Sequence, residues 1–136
     1  MTSKIFLSQE IAKRIADVAE KEAIKNGWTV SIAIVNDAGQ LLYFTRMDES
    51  TNASIDISIG KAKHSAYYRR DTKFHEDLLK SGNHLVLSLP GSMPVEGGVR
   101  LIYNDAVIGA IGVSGAASHD DGKIAKAGAD FLCTLA

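Results

Sequence analysis

The sequence predicts an α+β domain in which antiparallel strands form a sheet and helices cover one or both of its faces. Apolar residues recur at helical spacing near the start, in the middle and at the end of the chain. The intervening segments are rich in β-forming residues and are joined by tight turns, which pair neighbouring strands antiparallel. With 136 residues the chain has the length of one domain, and we expect residues 1–136 to form it.

The first elements are a helix and a strand pair. Ser8 is suited to cap the helix and Gly27 to end it, because a serine hydroxyl accepts a free N–H and glycine adopts positive φ. Residues 28–35 alternate in polarity and predict a strand. Asn, Asp and Gly at 36–39 predict a turn, after which residues 41–46 form the returning strand.

Two helices follow in the middle of the chain. Residues 53–68 show helical spacing and many small side chains, which favours close packing against a flat surface. Thr72 is suited to cap a short next helix that ends at Gly82. We predict a short strand at 84–89 and a loop at 90–98, which holds both prolines.

The last third is predicted to hold a second hairpin and a final helix. Strands at 99–103 and 106–114 flank an Asn-Asp turn. Residues 118–121, Ser-His-Asp-Asp, have the pattern of an acidic capping box before a helix with one apolar face.

Charge and composition exclude several classes of protein. Fifteen Lys and Arg balance sixteen Asp and Glu, and no long basic run occurs, which argues against nucleic acid or membrane partners. No apolar run reaches the roughly 20 residues of a membrane span, and no secretory signal is visible. We therefore expect a cytoplasmic protein.

The single cysteine and the four histidines offer no metal site. Cys133 is expected to be a small buried apolar residue, and without a Cys-x-x-Cys pair neither a thiolate zinc site nor a dithiol centre is predicted. The histidines lack metal-ligand spacing. His64 is three residues from Lys61 on the predicted middle helix, so the two share a face.

Twelve glycines against two prolines are unusual, and seven of the glycines lie between residues 91 and 122. Gly109, Gly112 and Gly115 are spaced G-x-x-G-x-x-G inside a predicted strand. This spacing matches neither a dinucleotide fingerprint nor, around Ser114, a nucleophile elbow. We expect these glycines to let a helix or a ligand approach the strand closely.

Three cations have settings that favour binding of an anion. Arg46 ends a strand, Lys61 lies in a helix of small and apolar residues, and Arg100 follows the pair Gly97-Gly98 closely. A guanidinium binds a carboxylate through two parallel hydrogen bonds. The alternatives are that these cations are solvated, or that Arg46 forms a structural ion pair with Asp48.

Several of these segments together resemble the GlcG/HbpS-like family, also called the haem-degrading domain family. The resemblance covers nearly the whole chain. The matching segments are residues 30–41, 45–48, 61–62, 70–72, 97–99, 107–116 and 120–121.

The resemblance implies a profilin-like α/β/α sandwich with a five-stranded antiparallel sheet, and homo-oligomers that are dimers or larger. Members of the family include haem-binding sensors, domains appended to cobalamin-related enzymes and small proteins of catabolic operons. Where the family usually has Gly-Gly-x-Pro, this chain has Gly97-Gly98-Val99-Arg100. The guanidinium favours a small anionic ligand, although haem propionates could also pair with it.

Three functional hypotheses remain open. In the first, a homo-oligomer binds a small organic anion, with haem as a second candidate ligand. In the second, an enzyme of small-molecule catabolism clamps a carboxylate and moves a proton with Lys61, Asp48 or His64. In the third, a structural or partner-binding module uses the cations in interface ion pairs. The predicted ligand-binding residues are Arg46, Asp48, Lys61, Gly97, Gly98, Arg100 and Ser114.

Overall fold

Four strands form one antiparallel sheet with helices on both faces in the computed structural model, which describes residues 3–135. The helices are α1 (Gln9–Lys25), α2 (Ala53–Tyr68), α3 (Thr72–Lys80) and α4 (Ser118–Cys133). The strands are β1 (Ser31–Asn36), β2 (Leu41–Arg46), β3 (Gly98–Tyr103) and β4 (Ala106–Ser114). Their order in the sheet is β2-β1-β4-β3, which makes β2 and β3 the edges.

The sheet has four strands over residues 3–135, one fewer than the family resemblance implies. The segment predicted as a further strand, 84–89, instead contains a 3₁₀ helix at His84–Ser88. Its backbone closes local hydrogen bonds, for example from the Leu89 N–H to the Val86 carbonyl at 3.3 Å. Only Val86 is buried in it, so no apolar face requires the segment to join the sheet.

The two faces of the sheet carry side chains of different size. Ile32 and Ile111 belong to the larger core, which α1 and α4 cover. Ala33 and Ala110 point to the other face, where α2 packs. At Gly112 an added Cβ would lie 2.0 Å from the Ser58 carbonyl oxygen. The prediction that a glycine in this strand permits close approach of a helix is confirmed at Gly112.

Of the three predicted helix caps, one is confirmed. The Ser8 hydroxyl accepts the Ile11 N–H at 3.2 Å and caps α1. Thr72 is instead the first residue of α3, and the structural N-cap of α4 is the alanine before Ser118, without a side-chain cap. Two of the polar side chains expected at these caps bond to other elements instead: the Thr72 hydroxyl accepts the Gly98 N–H of β3, and Asp121 accepts a hydrogen bond from Lys61 of α2.

Two further findings concern the exposure of Cys133 and the character of the helices. The expectation that Cys133 is buried is wrong: it is exposed at the end of α4, while its neighbour Leu132 enters the core. Among residues 3–135, no helix combines the length and the apolar character needed to cross a bilayer.

Candidate functional site

A cavity of about 410 Å³ lies along the β3 edge, between the start of α3 and the side of α4. We call it the Gly97 groove. Gly97 and Gly98 form its floor, and its charged lining residues are Asp71, Lys73, Glu96, Arg100, Lys126 and Asp130. Three predicted ligand residues, Gly97, Gly98 and Arg100, therefore line one cavity.

The twin glycines let the floor of the groove rest directly on the backbone of neighbouring elements. A Cβ at Gly98 would lie 2.5 Å from the Lys61 carbonyl oxygen in α2. One at Gly97 would lie 2.6 Å from the Val113 carbonyl oxygen in β4, and Gly97 also has φ +133°. Larger residues would push β3 outward, so the depth of the groove depends on glycine at both positions.

Arg100 is held in place by a single carboxylate oxygen. Its backbone N–H and its Nε both donate to Asp71 Oδ1, each at 3.0 Å. The Arg100 side chain is 35% exposed, and its two Nη groups make no hydrogen bond to the described residues. The free end of the guanidinium is therefore oriented and available to a carboxylate.

Residues at the start of α3 also close the β3 edge. The Gly98 N–H donates to the Thr72 hydroxyl at 2.9 Å, and the Arg100 N–H donates to Asp71. These are outward-facing donors that an unprotected edge strand would offer to another strand. The side chains that orient Arg100 thus also block edge-to-edge pairing along this part of β3.

Two lysines at the rim are paired with neighbours on their own helices. Lys73 contacts Asp77 at 3.1 Å and Lys126 contacts Asp130 at 2.8 Å, and all four side chains are more than half exposed. The hydrogen bond that each lysine donates to its aspartate raises the pKa of that lysine. Both lysines are charged at neutral pH, but their local pairing leaves Arg100 as the better anchor for an anion.

Lys61 lies beneath the groove floor and is 1% exposed. Its Nζ donates to the Val113 carbonyl at 2.9 Å and to Asp121 Oδ2 at 3.0 Å. The other oxygen of Asp121 accepts the Ala116 N–H at 2.9 Å. Burial raises the pKa of Asp121, and the Lys61 charge opposes this. The pair joins α2, β4 and α4 under Gly97, so Lys61 supports the groove without lining it.

Arg46 and Asp48 lie on the β2 side of the sheet. Arg46 donates to the Ser50 carbonyl at 2.9 Å and to Asn52 Oδ1 at 2.8 Å, while Asp48 is exposed. Arg46 and Arg100 are on opposite edge strands, which three strand spacings of about 4.8 Å separate. Within one chain, a small carboxylate in the Gly97 groove therefore does not reach both arginines.

The remaining predicted residues are buried in other surroundings. Ser114 ends β4 and is 7% exposed. His64 accepts the Met93 N–H at Nδ1, 2.8 Å away, and its Nε2 lies 3.0 Å from His75 Nδ1. Burial lowers the pKa of His64 to about 4. The structure does not bring Lys61, Asp48 and His64 together as a proton-transfer group.

Sequence reasoning missed the partners that organise this region, which are Asp71, Asp121 and His75. Asp71 and Asp121 lie in segments that the family resemblance included, yet neither was assigned a role at the site. Asp121 is 60 residues from Lys61 and His75 is 11 residues from His64. Side-chain pairs between residues so far apart leave no periodic signal in a single sequence.

The fold and the groove define a small α/β/α sandwich with a ligand-sized cavity at a sheet edge. Comparison with known families places the sequence more narrowly. The chain belongs to the family described as haem degrading protein HbpS-like, whose model matches residues 7–130.

Relatives in sequence agree with this assignment. The protein GlcG of Escherichia coli K12 is 40% identical over 114 residues, which cover 84% of this chain and 85% of GlcG. An uncharacterised 15.0 kDa protein from the dhaT-dhaS intergenic region of Citrobacter freundii is 32% identical over 128 residues, covering 91% and 90% of the two chains.

Solved structures share the fold. Protein ORFY of Klebsiella pneumoniae superposes with a TM-score of 0.91 at 26% identity, covering 99% of this chain and 97% of ORFY. A double mutant of HbpS from Streptomyces reticuli gives a TM-score of 0.87 at 31% identity, covering 97% and 90%. A PduOC:heme complex gives 0.85 at 23% identity, covering 93% and 94%, which supports the fold alone.

Proposed function

We propose that this protein binds a small organic anion in the Gly97 groove, with the carboxylate of the ligand paired to Arg100. The observation that supports this is the orientation of Arg100 by Asp71, which leaves both Nη groups free at a cavity of about 410 Å³. That volume lies within the range of roughly 300–1,000 Å³ typical of small-molecule sites.

Haem is the second candidate ligand, and the family's description suggests it. Haem iron takes a His, Cys, Met or Tyr ligand. The one described residue of this kind lining the Gly97 groove is Cys133, which lies at the rim near Lys126 and Asp130. His64 and His75 are bonded to each other in the interior. The groove therefore offers Arg100 as an anchor for a carboxylate but no described histidine, methionine or tyrosine for haem iron.

Self-association is part of the proposal. The described surface exposes large apolar side chains, including Phe6 at 80%, Leu85 at 75% and Leu87 at 62%. Leu85 and Leu87 lie in the same 3₁₀ helix, and contiguous exposed apolar side chains are typical of interfaces between proteins. Light scattering coupled to size exclusion measures the mass in solution, and a monomer at micromolar concentration would contradict this part of the proposal.

The binding proposal is tested by measuring dissociation constants for a series of mono- and dicarboxylates by calorimetry. Arg100→Ala is expected to weaken binding of the best carboxylate by about tenfold, as loss of a charge-assisted hydrogen-bonded pair implies. Arg46→Ala is the matched control and is expected to change the constant less than about twofold, since it lies on the other edge.

Equal losses in the two arginine variants would contradict a site confined to the β3 edge. Haemin is titrated in parallel and monitored by its Soret band. A Soret shift that Arg100→Ala abolishes, together with no carboxylate binding, would assign the groove to haem instead.

A further inference from the structure

A second and larger cavity, of about 680 Å³, lies beside α2 at the start of β2. We call it the Tyr67 groove. Its floor is one face of α2, and its walls are the β1–β2 turn at 38–41 and the segment 90–91. It shares no lining residue with the Gly97 groove, so it is a separate site.

The floor presents one exposed aromatic ring, that of Tyr67, beside apolar side chains. Ile59, Lys63 and Tyr67 are four residues apart and therefore lie along one face of α2. Tyr67 is 66% exposed, and Leu41 across the groove is 47% exposed. The Tyr67 ring meets the ring of Tyr68 edge-on, with centroids 5.1 Å apart. This contact orients the Tyr67 ring, and much of its surface remains open to solvent.

Both walls are held by hydrogen bonds between groups at the protein surface. The Tyr68 hydroxyl donates to the Pro90 carbonyl and ties the 90–91 wall to α2. The side-chain oxygen of Asn36 accepts the N–H groups of Ala38 and Gln40, at 3.0 and 2.9 Å, and fixes the turn. Because these hydrogen bonds fix both loops before a ligand binds, binding has a smaller entropic cost of ordering loops.

The Tyr67 groove carries one positive charge among its described lining residues. Lys63 is its one charged lining residue, and within residues 3–135 its ammonium forms no ion pair. The Lys63 stem lies along the turn, with Cγ 4.0 Å from where a Cβ of Gly39 would be. Apolar walls around one unpaired cation favour a ligand with an apolar body and one negative end.

We infer that the Tyr67 groove is a second ligand site, for a planar aromatic carboxylate. The ring of the ligand lies against Tyr67 and Leu41, and its carboxylate pairs with Lys63. Offset stacking on tyrosine and one ion pair at an apolar surface are the two contributions to affinity. This inference does not depend on the proposed function of the Gly97 groove.

The test uses 2-naphthoate as the probe and 2-naphthamide as its uncharged analogue, with binding followed by naphthalene fluorescence. Tyr67→Ala is expected to weaken naphthoate binding about tenfold, whereas Tyr67→Phe keeps the ring and stays within about twofold. Lys63→Met is expected to weaken naphthoate several-fold and to leave the amide unchanged, because only the acid carries the charge.

Lys21→Met removes an exposed lysine of α1 that lines neither groove, so it is the control and is expected to bind naphthoate like the wild type. The inference is overturned if wild type shows no saturable binding, or if Tyr67→Ala and Lys63→Met bind as wild type does. It is also overturned if light scattering shows that Tyr67→Ala dissociates an oligomer, since the groove would then hold a second copy of the chain.

Discussion

The two grooves are built on different physical principles. The Gly97 groove rests on bare backbone, and below it lies the ion pair of Lys61 and Asp121, both almost fully buried. The Tyr67 groove is formed by exposed side chains on the outer face of α2. Lys61 is buried below the Gly97 groove and Lys63 lines the Tyr67 groove, although only one residue separates them in the sequence. The contrast teaches that a position's burial, more than its residue type, decides whether a substitution affects folding or binding.

The largest expected effect comes from comparing the two lysines of α2. Lys61→Met leaves the Asp121 carboxylate buried without its partner, and such a loss costs about 3–5 kcal/mol of unfolding free energy. Lys63→Met alters an exposed side chain and is expected to change stability by less than about 0.5 kcal/mol. Urea denaturation followed by circular dichroism measures both.

The double variant Lys61→Met/Asp121→Asn is the control for this comparison. It removes the unpaired charge and keeps an acceptor for the Ala116 N–H, so part of the lost stability should return. If the two single lysine variants unfold at the same urea concentration, the buried pair does not support the fold as described.

The next prediction concerns the dependence of stability on pH, which involves His64. This histidine accepts a hydrogen bond from the Met93 N–H. The pKa of His64 is lowered from 6.5 to about 4, so the unfolded chain binds more protons than the folded chain between these values. Stability is therefore full above about pH 6.5 and falls as the pH drops towards 4, by about 3 kcal/mol for this group.

A variant isolates this contribution from that of the carboxylates. Because burial raises the pKa of Asp121, that group acts in the opposite direction at acid pH, whereas burial lowers the pKa of His75 and adds to the effect of His64. Wild-type curves alone therefore mix these contributions. His64→Asn is expected to be less stable at pH 7 and to lose less stability on acidification than wild type. His119→Asn, exposed on α4, should keep the wild-type slope, and an unchanged slope in His64→Asn would count against the role of His64.

The smallest effect compares glycines in the two grooves. Gly98→Ala places a Cβ 2.5 Å from the Lys61 carbonyl oxygen, which we expect to cost about 1–3 kcal/mol. Gly91→Ala meets no atom within 4 Å and carries only the strain of φ +68°, about 1 kcal/mol. Thermal unfolding of both variants is the measurement. A Gly91→Ala variant less stable than Gly98→Ala would reverse the predicted order.

Local patterns in the sequence determined most of the secondary structure. Ser8 and Gly27 bracket the first helix, and the turn at 104–105 joins the last two strands, because these signals act over a few residues. The segment at 84–89 was predicted wrongly since a short apolar run fits a strand and a 3₁₀ turn equally well. The family, too, was evident from sequence and is shown by the match over residues 7–130.

The tertiary structure alone decided which of the charged residues share a site. Arg46 lies at the end of β2 and Arg100 lies in β3. Only the strand order β2-β1-β4-β3 puts the two arginines on opposite edges of the sheet. The sequence predicts Lys61 as a ligand-binding residue. In the structure its partner Asp121, 60 residues away, pairs with it in the interior. A sequence records residue types along one dimension, whereas burial and pairing arise when distant elements pack, so the groove chemistry is decided at that stage.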